Sequence, residues 1–259
     1  MIRSLWIAKT GMEGQQTKLD AIANNLANVT NGYKRSGVVF EDLMYQNLRT
    51  AGSSTSEQSQ LPTGLQVGLG VRAAATTRNF SQGALQQSGN NLDVAIKGPG
   101  FFQIQMPDGS TGYTRDGAFQ TDAAGQIVTN AGYVLQPGIT IPATATAVTI
   151  SDLGVVQATL ASQVAPQTLG TIQLASFINP AGLDPKGGNI FGETAASGTA
   201  NAAAPGASGH GTLQQGMVEG SNVNVVEELV NMIATQRAYE LNSKAIQTSD
   251  QMLQRLGQL

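Results

Sequence analysis

Hydrophobic residues recur at helical spacing near the start of the chain. Four of them stand seven residues apart, and seven residues are two helical turns, so the side chains share one helix face. The spacing predicts a helix over residues 4–28, capped by Ser4 and ended by the Asn31-Gly32 turn. The predicted stripe consists of Leu5, Met12, Leu19, Ile22 and Leu26.

A second helical stripe lies at the other end of the chain. The run Asn224-Val-Val-Glu227 has the spacing of a capping box and predicts that a helix begins there. It continues without Gly or Pro to Leu256, far beyond the mean helix length of about 11–12 residues. A helix this long with so thin an apolar stripe needs partners. The predicted stripe consists of Val226, Val230, Ile233, Leu241, Met252 and Leu256.

The middle of the chain alternates apolar and polar residues in short runs separated by turn signals such as Pro107-Asp108-Gly109. Residues 49–64 have no period and indicate an extended stretch, while residues 194–211 indicate an irregular loop. The predicted fold class is α+β. The long terminal helices pair as a coiled-coil-like inner domain, and a β-rich outer domain is inserted between them. The predicted boundaries are 1–45 and 217–259 for the helical domain, 46–66 for an extended connector and 67–216 for the β domain.

The composition of the chain limits the kinds of partner it could bind. Charged residues make up 12% of the chain, about half the usual ~25%, and they are sparse in the middle. A net charge of −3 and the lack of a basic run argue against nucleic acid. No stretch reaches the ~18–20 apolar residues of a membrane span, so no membrane insertion is predicted. Lys9 interrupts the apolar start, which argues against a cleaved secretory signal.

Residues suited to catalysis or metal binding are few. With no cysteine and a single histidine, His210, the chain cannot build an ordinary zinc site. Asp108 and Asp116 each precede a glycine, which is typical of turns. A carboxylate pair for glycoside hydrolysis would have to come from these two, Asp93 and Asp122. The sequence therefore predicts no catalytic residue, no metal and no cofactor.

Three motifs resemble the bacterial flagellar rod, hook and hook-associated proteins. At the N-terminus these are Ile22-Ala-Asn-Asn-Leu-Ala-Asn-Val29 and Asn31-Gly-Tyr-Lys-Arg35. Toward the C-terminus, Glu219-Gly-Ser-Asn-Val-Asn-Val-Val-Glu-Glu-Leu-Val230 and Gln236-Arg-Ala-Tyr-Glu240 are similar to the family's second motif. Residues 91–102 and 113–117 resemble its β-domain signature. The motif positions singled out are Asn24, Asn25, Asn28, Gly32, Asn222, Asn224, Gln236, Arg237 and Tyr239.

Residues 4–11 and 40–71 resemble the distal-rod members of that family. The resemblance implies a helical tube that crosses the periplasm and carries torque, with the terminal helices inside and the β domain outside. It implies partners in further copies of the chain, proximal rod and hook proteins, the surrounding periplasmic and outer-membrane rings, and the flagellar type III export apparatus. Phe40 and Met44 resemble an export-gate motif, and packing after the first helix explains them equally well.

Three alternatives remain open from the sequence. A proximal rod or hook protein belongs to the same structural class, and the connector sequence argues against both. A wall-remodelling enzyme would need carboxylates about 5–10 Å apart in a cleft. A binding module such as an adhesin would fold as a monomer with ordered ends.

Overall fold

The computed structural model describes residues 2–52, 54–56, 59–60, 62–161 and 165–257. Leu256 closes the last helix, but its side chain lies outside the described part, as do Glu57 and Gln58 of the predicted connector. The chain forms two compact units. One unit contains both terminal helices and residues 36–78, and the other contains residues 28–35 and 79–223.

Both terminal helices are present. Helix α1 runs over Ile2–Ala27 and helix α2 over Val225–Leu256. Asn224 caps α2 as predicted, and its side-chain oxygen accepts hydrogen bonds from the backbone N–H groups of Val226 and Glu227. The predicted cap of α1 at Ser4 is wrong, because α1 already includes Ile2 and places Ser4 inside its first turn.

The two helices pack against each other in opposite directions. Asn25, near the end of α1, donates to Glu228, near the start of α2. At the other end, a methyl group added at Gly11 would come within 2.9 Å of the Asn242 amide nitrogen. This pairing confirms that the two ends of the chain fold back on one another.

Among the described residues of 36–78, in the unit of the helices, the chain pairs back on itself as a two-stranded ribbon. Residues 36–42 pair antiparallel with residues 71–78. Further along the ribbon, residues 45–49 pair antiparallel with residues 65–68. The sequence indicated an extended stretch here but not its pairing. The strands are β1 (Ser36–Asp42), β2 (Tyr45–Arg49), β3 (Ser54–Ser56), β4 (Ser59–Gln60), β5 (Leu65–Gly68) and β6 (Val71–Arg78).

The second unit is β-rich. Its main sheet has the order β11-β12-β13-β9-β10-β19-β18, and β17 joins β9 to β20. Strands β14, β15 and β16 form an antiparallel sheet, and β8 pairs with β21 and β7 with β22. A short 3₁₀ helix covers Pro180–Gly182. The strands are β7 (Leu85–Gln87), β8 (Val94–Lys97), β9 (Phe101–Gln105), β10 (Thr111–Thr114), β11 (Phe119–Thr121), β12 (Ile127–Thr129), β13 (Val134–Leu135), β14 (Ala145–Ile150), β15 (Val155–Leu160), β16 (Gln167–Thr171), β17 (Leu174–Ser176), β18 (Asp184–Gly187), β19 (Ile190–Gly192), β20 (Asn201–Ala203), β21 (Thr212–Gln215) and β22 (Met217–Glu219).

Apolar side chains on the inward faces of these strands form the core of the β unit. One cluster centres on Phe102, Ile104 and Leu135, which are fully buried. A second gathers aromatic rings around Phe101, which packs edge-to-face against Phe80 and Phe177. These two clusters of buried side chains form a hydrophobic core that belongs to the β unit alone.

One expectation about the loops needs correction. The stretch 194–211 contains strand β20, which pairs with β17, so it is not wholly irregular. His210 within it is buried, and its two ring nitrogens each lie 2.9 Å from a carbonyl oxygen, of Ala207 and of Asn201. The predicted turns at two aspartates are confirmed: Asp108 accepts from the Ser110 N–H and Asp116 from the Ala118 N–H.

Candidate assembly site

Helix α2 divides its residues between two faces. The face toward α1 carries Glu228, Thr235 and Ser249, which are 1%, 2% and 7% exposed. On the opposite face, Val230 follows Glu228 by two positions and therefore lies about 200° around the helix. These three polar residues of α2 are thus buried toward α1, and the predicted apolar stripe faces outward.

The outward stripe contains five of the six residues predicted on α2. Their exposure is high for large apolar side chains, which normally lie in a core. Val226 is 69% exposed, Val230 59%, Ile233 58%, Leu241 67% and Met252 51%. Exposed large apolar side chains that gather on one helix face in this way indicate an interaction surface.

The α1 stripe lies differently. Ile22 is 5% exposed and belongs to the packed side of α1. Leu5, Met12, Leu19 and Leu26 are half-buried. Trp6 is 52% exposed, and the Lys9 amine lies 5.3 Å from the centre of its ring, a cation–π distance. The stripe of α1 therefore supports the fold of its own unit more than the stripe of α2 does.

The ribbon adds a second exposed apolar group. Met44 is 83% exposed and Tyr45 55%, and Leu48 and Leu65 are about half exposed at 46% and 53%. Phe40 is half-buried against α1, since a methyl group added at Gly14 would lie 3.3 Å from its ring. Phe40 thus packs against α1, while Met44 is exposed to solvent.

Several motif asparagines fix local backbone. Asn25 is 1% exposed, and its side chain both donates to the Ser36 carbonyl and accepts from the Ser36 N–H. Asn222 accepts from the Arg35 N–H at 2.7 Å and donates to the carbonyl of Asn79. Amide side chains can satisfy a backbone donor and acceptor together, which suits both positions.

The other motif residues are more exposed. Gly32 has φ +60°, a conformation that glycine adopts readily. Asn24, Gln236 and Arg237 lie on the helix surfaces, and Tyr239 is 40% exposed. Asn28 is half-buried at the end of α1.

A buried charge cluster in the β unit escaped the sequence analysis. Glu219 on β22 accepts from the Lys34 amine through one oxygen and from the Arg115 guanidinium, at 2.8 Å, through the other. The three side chains are 2%, 2% and 5% exposed. The Gly83 N–H also donates to Glu219 at 2.8 Å. Burial lowers the pKa of Lys34, and its bond to Glu219 opposes that shift.

Three of the aspartates considered for a carboxylate pair, Asp108, Asp116 and Asp122, each accept a hydrogen bond from the backbone N–H two residues further on. Asp108 and Asp122 are occupied in their own turns, and hydrogen bonds from Ser110 hold the pKa of Asp108 below its usual range. Asp116 borders a cleft of about 500 Å³ together with Glu219. Burial raises the pKa of Asp116, but both oxygens of Glu219 are taken by the cations of the cluster. Within the described residues, no group of acidic or histidine side chains could hold a metal ion.

Family models match three parts of the chain. Residues 5–34 match flagella basal body rod protein, residues 95–158 match the flagellar hook protein FlgE/F/G D1 domain, and residues 214–259 match the C-terminal part of flagellar basal body rod FlgEFG proteins. The flagellar basal-body rod protein FlgG of Buchnera aphidicola subsp. Schizaphis graminum is 55% identical over all of both chains. The chain belongs to the flagellar basal-body rod protein family.

Other relatives separate the branches of the family. The rod protein FlgG of Caulobacter vibrioides is 50% identical over 100% of this chain and 99% of its own. The hook protein FlgE of Helicobacter mustelae is 44% identical over 52% of this chain and 30% of its own. These matches confirm the resemblance to the distal-rod branch and make the chain a structural subunit of the flagellar basal-body rod. No helix in the described ranges is both long and apolar enough to span a membrane.

Proposed function

We propose that this chain polymerises into the distal rod of the flagellum, a stiff helical tube that carries torque from the motor to the hook. The observation that carries the proposal is the outward apolar stripe of α2. Contacts between successive copies of one chain are heterologous, and such contacts extend into a filament rather than close. Covering Val230, Ile233 and Leu241 by a second copy would remove their exposed apolar area from water.

In this proposal the terminal helices form the inner tube, and α1 and α2 pair in a coiled-coil-like manner. For the assembled tube we keep the proposed inner domain of residues 1–45 and 217–259 and the proposed outer domain of residues 67–216. In the single chain, residues 28–35 and 217–223 belong to the β unit and residues 67–78 to the unit of the helices. Residues 46–66 connect neighbouring subunits. The exposed Met44, Tyr45 and Leu65 on the ribbon support that connecting role, because isolated two-stranded ribbons rarely expose such side chains without a partner.

In this proposal, the stiffness of the tube depends on contacts that the ribbon makes with the next subunit. Deleting residues 50–60 shortens the ribbon at its tip and removes its contact with the next subunit. We expect tubes of the deletion variant to bend more, as hook tubes do. The measurement is the persistence length of isolated tubes by electron microscopy, and an unchanged length contradicts the role of the connector.

Other partners follow from the place of a distal rod. The tube would join the proximal rod at one end and the hook at the other, and would turn inside the periplasmic and outer-membrane rings. The charge-poor β unit suits that rotation, because few charges are available to hold a ring. Export through the flagellar type III apparatus completes the proposal.

The function is tested in a motile bacterium that lacks its own distal-rod protein. Supplying this chain should restore hooks and swimming. Supplying the Ile233→Asp variant should not, because a charge cannot be buried on the outward stripe without a partner. Swimming by cells that carry the Ile233→Asp variant at normal protein levels would contradict the proposal.

A further inference from the structure

The chain passes between its two compact units at residues 27–28, 35–36, 78–79 and 223–224. The chain is covalently continuous, so a force carried along the backbone enters the β unit at these places. Within the β unit, the residues next to three of them are hydrogen-bonded to one another. These residues lie in the segments 33–35, 79–83 and 219–222, which we name the clamp.

Asn222 joins the three segments of the clamp. Its amide oxygen accepts from the Arg35 N–H at 2.7 Å. Its amide nitrogen donates to the carbonyl oxygens of Asn79, at 2.8 Å, and of Ser81, at 3.1 Å. The Asn79 N–H in turn donates to the Arg35 carbonyl at 2.8 Å. A displacement of any one segment therefore strains bonds to the other two.

The buried charge cluster joins the same three segments and fastens them to the sheet. Glu219 accepts from the Lys34 amine and from the Gly83 N–H. Its second oxygen accepts from Arg115, whose other nitrogens donate to two carbonyl oxygens of the loop at residues 98–100, at 3.0 and 3.1 Å. That loop leads directly into β9, which lies inside the main sheet.

Stability alone does not require charges at this place. Well-packed apolar residues often replace a buried ion pair without loss of stability, because the charges must first be taken out of water. Separating the partners once they are buried is strongly unfavourable, because each is left without its counter-charge. Apolar contacts can slide past one another, whereas charge-assisted hydrogen bonds hold a fixed geometry.

We propose that the clamp is the mechanical joint of the subunit. It receives force from three crossings of the chain together and passes it to the sheet of the β unit, and the bonds of Glu219 set how long it holds. The inference rests on the proposed function, since torque is what supplies the force.

The test pulls on single full-length chains at a fixed force. The chain has no cysteine, so two introduced cysteines serve as attachment points. In the first geometry, Ala123→Cys in an exposed turn of the β unit is combined with Gln247→Cys on the surface of α2, and force enters the β unit through residues 219–222. In the second geometry, Ala123→Cys is combined with Ala195→Cys, also exposed in the β unit, and the force bypasses those residues.

The measured quantity is the lifetime of the β unit under force. Its rupture is recognised by the length of chain released, about 3.3–3.6 Å per residue. Glu219→Gln should shorten the lifetime by about tenfold or more in the first geometry and by about threefold at most in the second. Ser221→Ala removes the hydroxyl that donates to the Tyr33 carbonyl at 2.7 Å, and should act in the same direction by less. It remains informative where Glu219→Gln folds poorly.

Leu135→Ala is the matched control for lost stability. Leu135 is fully buried in the main core cluster, away from the clamp segments in sequence, and its truncation leaves a cavity. We expect this variant to shorten the lifetime to a similar degree in both geometries.

Two results overturn the inference. Equal shortening by Glu219→Gln in the two geometries would show that the cluster only stabilises the unit. An unchanged lifetime in the first geometry would show that Glu219 carries no force. The proposed function fails on a different observation, namely polymers that form equally well after the outward stripe is changed, and pulling on single chains requires no polymer.

Discussion

Ile233→Ala combined with Leu241→Ala tests the outward stripe with little harm to the subunit itself. Both side chains are more than half exposed, at 58% and 67%, and alanine favours the helix. Fully burying an Ile or Leu side chain contributes roughly 1.5–3 kcal/mol. Scaling by the exposed fraction and allowing for the methyl that alanine retains leaves about 1 kcal/mol per residue for each contact between copies. The double variant should lose about 2 kcal/mol, which raises the threshold concentration for polymerisation about 30-fold.

The assay is sedimentation of the purified full-length chain over a concentration series, with electron microscopy of the pellet. Gln247→Ala with Gln254→Ala is the matched control, since it also truncates two exposed side chains of α2 to alanine but removes no apolar residue. Thermal unfolding of the β unit should be the same in all three proteins, because surface substitutions usually change stability by less than about 0.5 kcal/mol. A threshold within twofold of wild type in the double variant would refute the assignment of the stripe to contacts between copies.

Three further predictions concern the β unit and the ribbon and are read by chemical denaturation. Glu219→Gln leaves two buried cations without a counter-charge and should lower the free energy of unfolding by about 3–5 kcal/mol. Glu41→Gln breaks only an exposed ion pair with Arg72 and should lower it by at most about 1 kcal/mol. Equal losses of stability in the two variants would contradict the role of burial. Gly117→Ala should destabilise by roughly 1–3 kcal/mol or more, since the new methyl would lie 1.7 Å from the Val94 carbonyl oxygen, and Gly89→Ala, with nothing within 4 Å, should be nearly neutral. Burial raises the pKa of Asp116 in the folded chain, so the folded state binds a proton more tightly than the unfolded state, and the stability contributed by this group falls as pH rises from its unfolded value through the raised one. Asp116→Asn lacks that dependence and should gain stability relative to wild type between pH 4 and pH 7; a constant difference across that range would contradict it.

The terminal helices were predictable because their signals are local. Apolar spacing and the Asn224 cap located α2 to within one residue of its start. What the spacing could not decide is which face of α2 meets α1. Glu228 and Thr235 stand seven residues apart, as Val226 and Ile233 of the apolar stripe do, so spacing alone does not say which set meets α1. In the structure, Glu228 and Thr235 are buried and the stripe is exposed.

The charge cluster was beyond sequence reasoning for a different reason. Lys34 and Arg115 each lie in a segment that resembles the family, but they are separated from Glu219 by 185 and 104 residues. No periodicity joins residues so far apart, and only the pairing of β22 with β7 brings Glu219 beside the Gly83 N–H. The low charge of the middle region was the available signal, because a charged residue that persists in a charge-poor domain often has a buried partner.

The central claim is that copies of this chain meet through the outward stripe of α2. The chain has no cysteine, so Ile233→Cys introduces a single thiol on that stripe. The measurement is the rate at which a maleimide labels this thiol in the free subunit and in the assembled tube, with Gln247→Cys on the flank of α2 for comparison. We predict rapid labelling at position 233 in the free subunit and at least tenfold slower labelling in the tube, with a smaller change at position 247. Equally rapid labelling at position 233 in both states would contradict the claim.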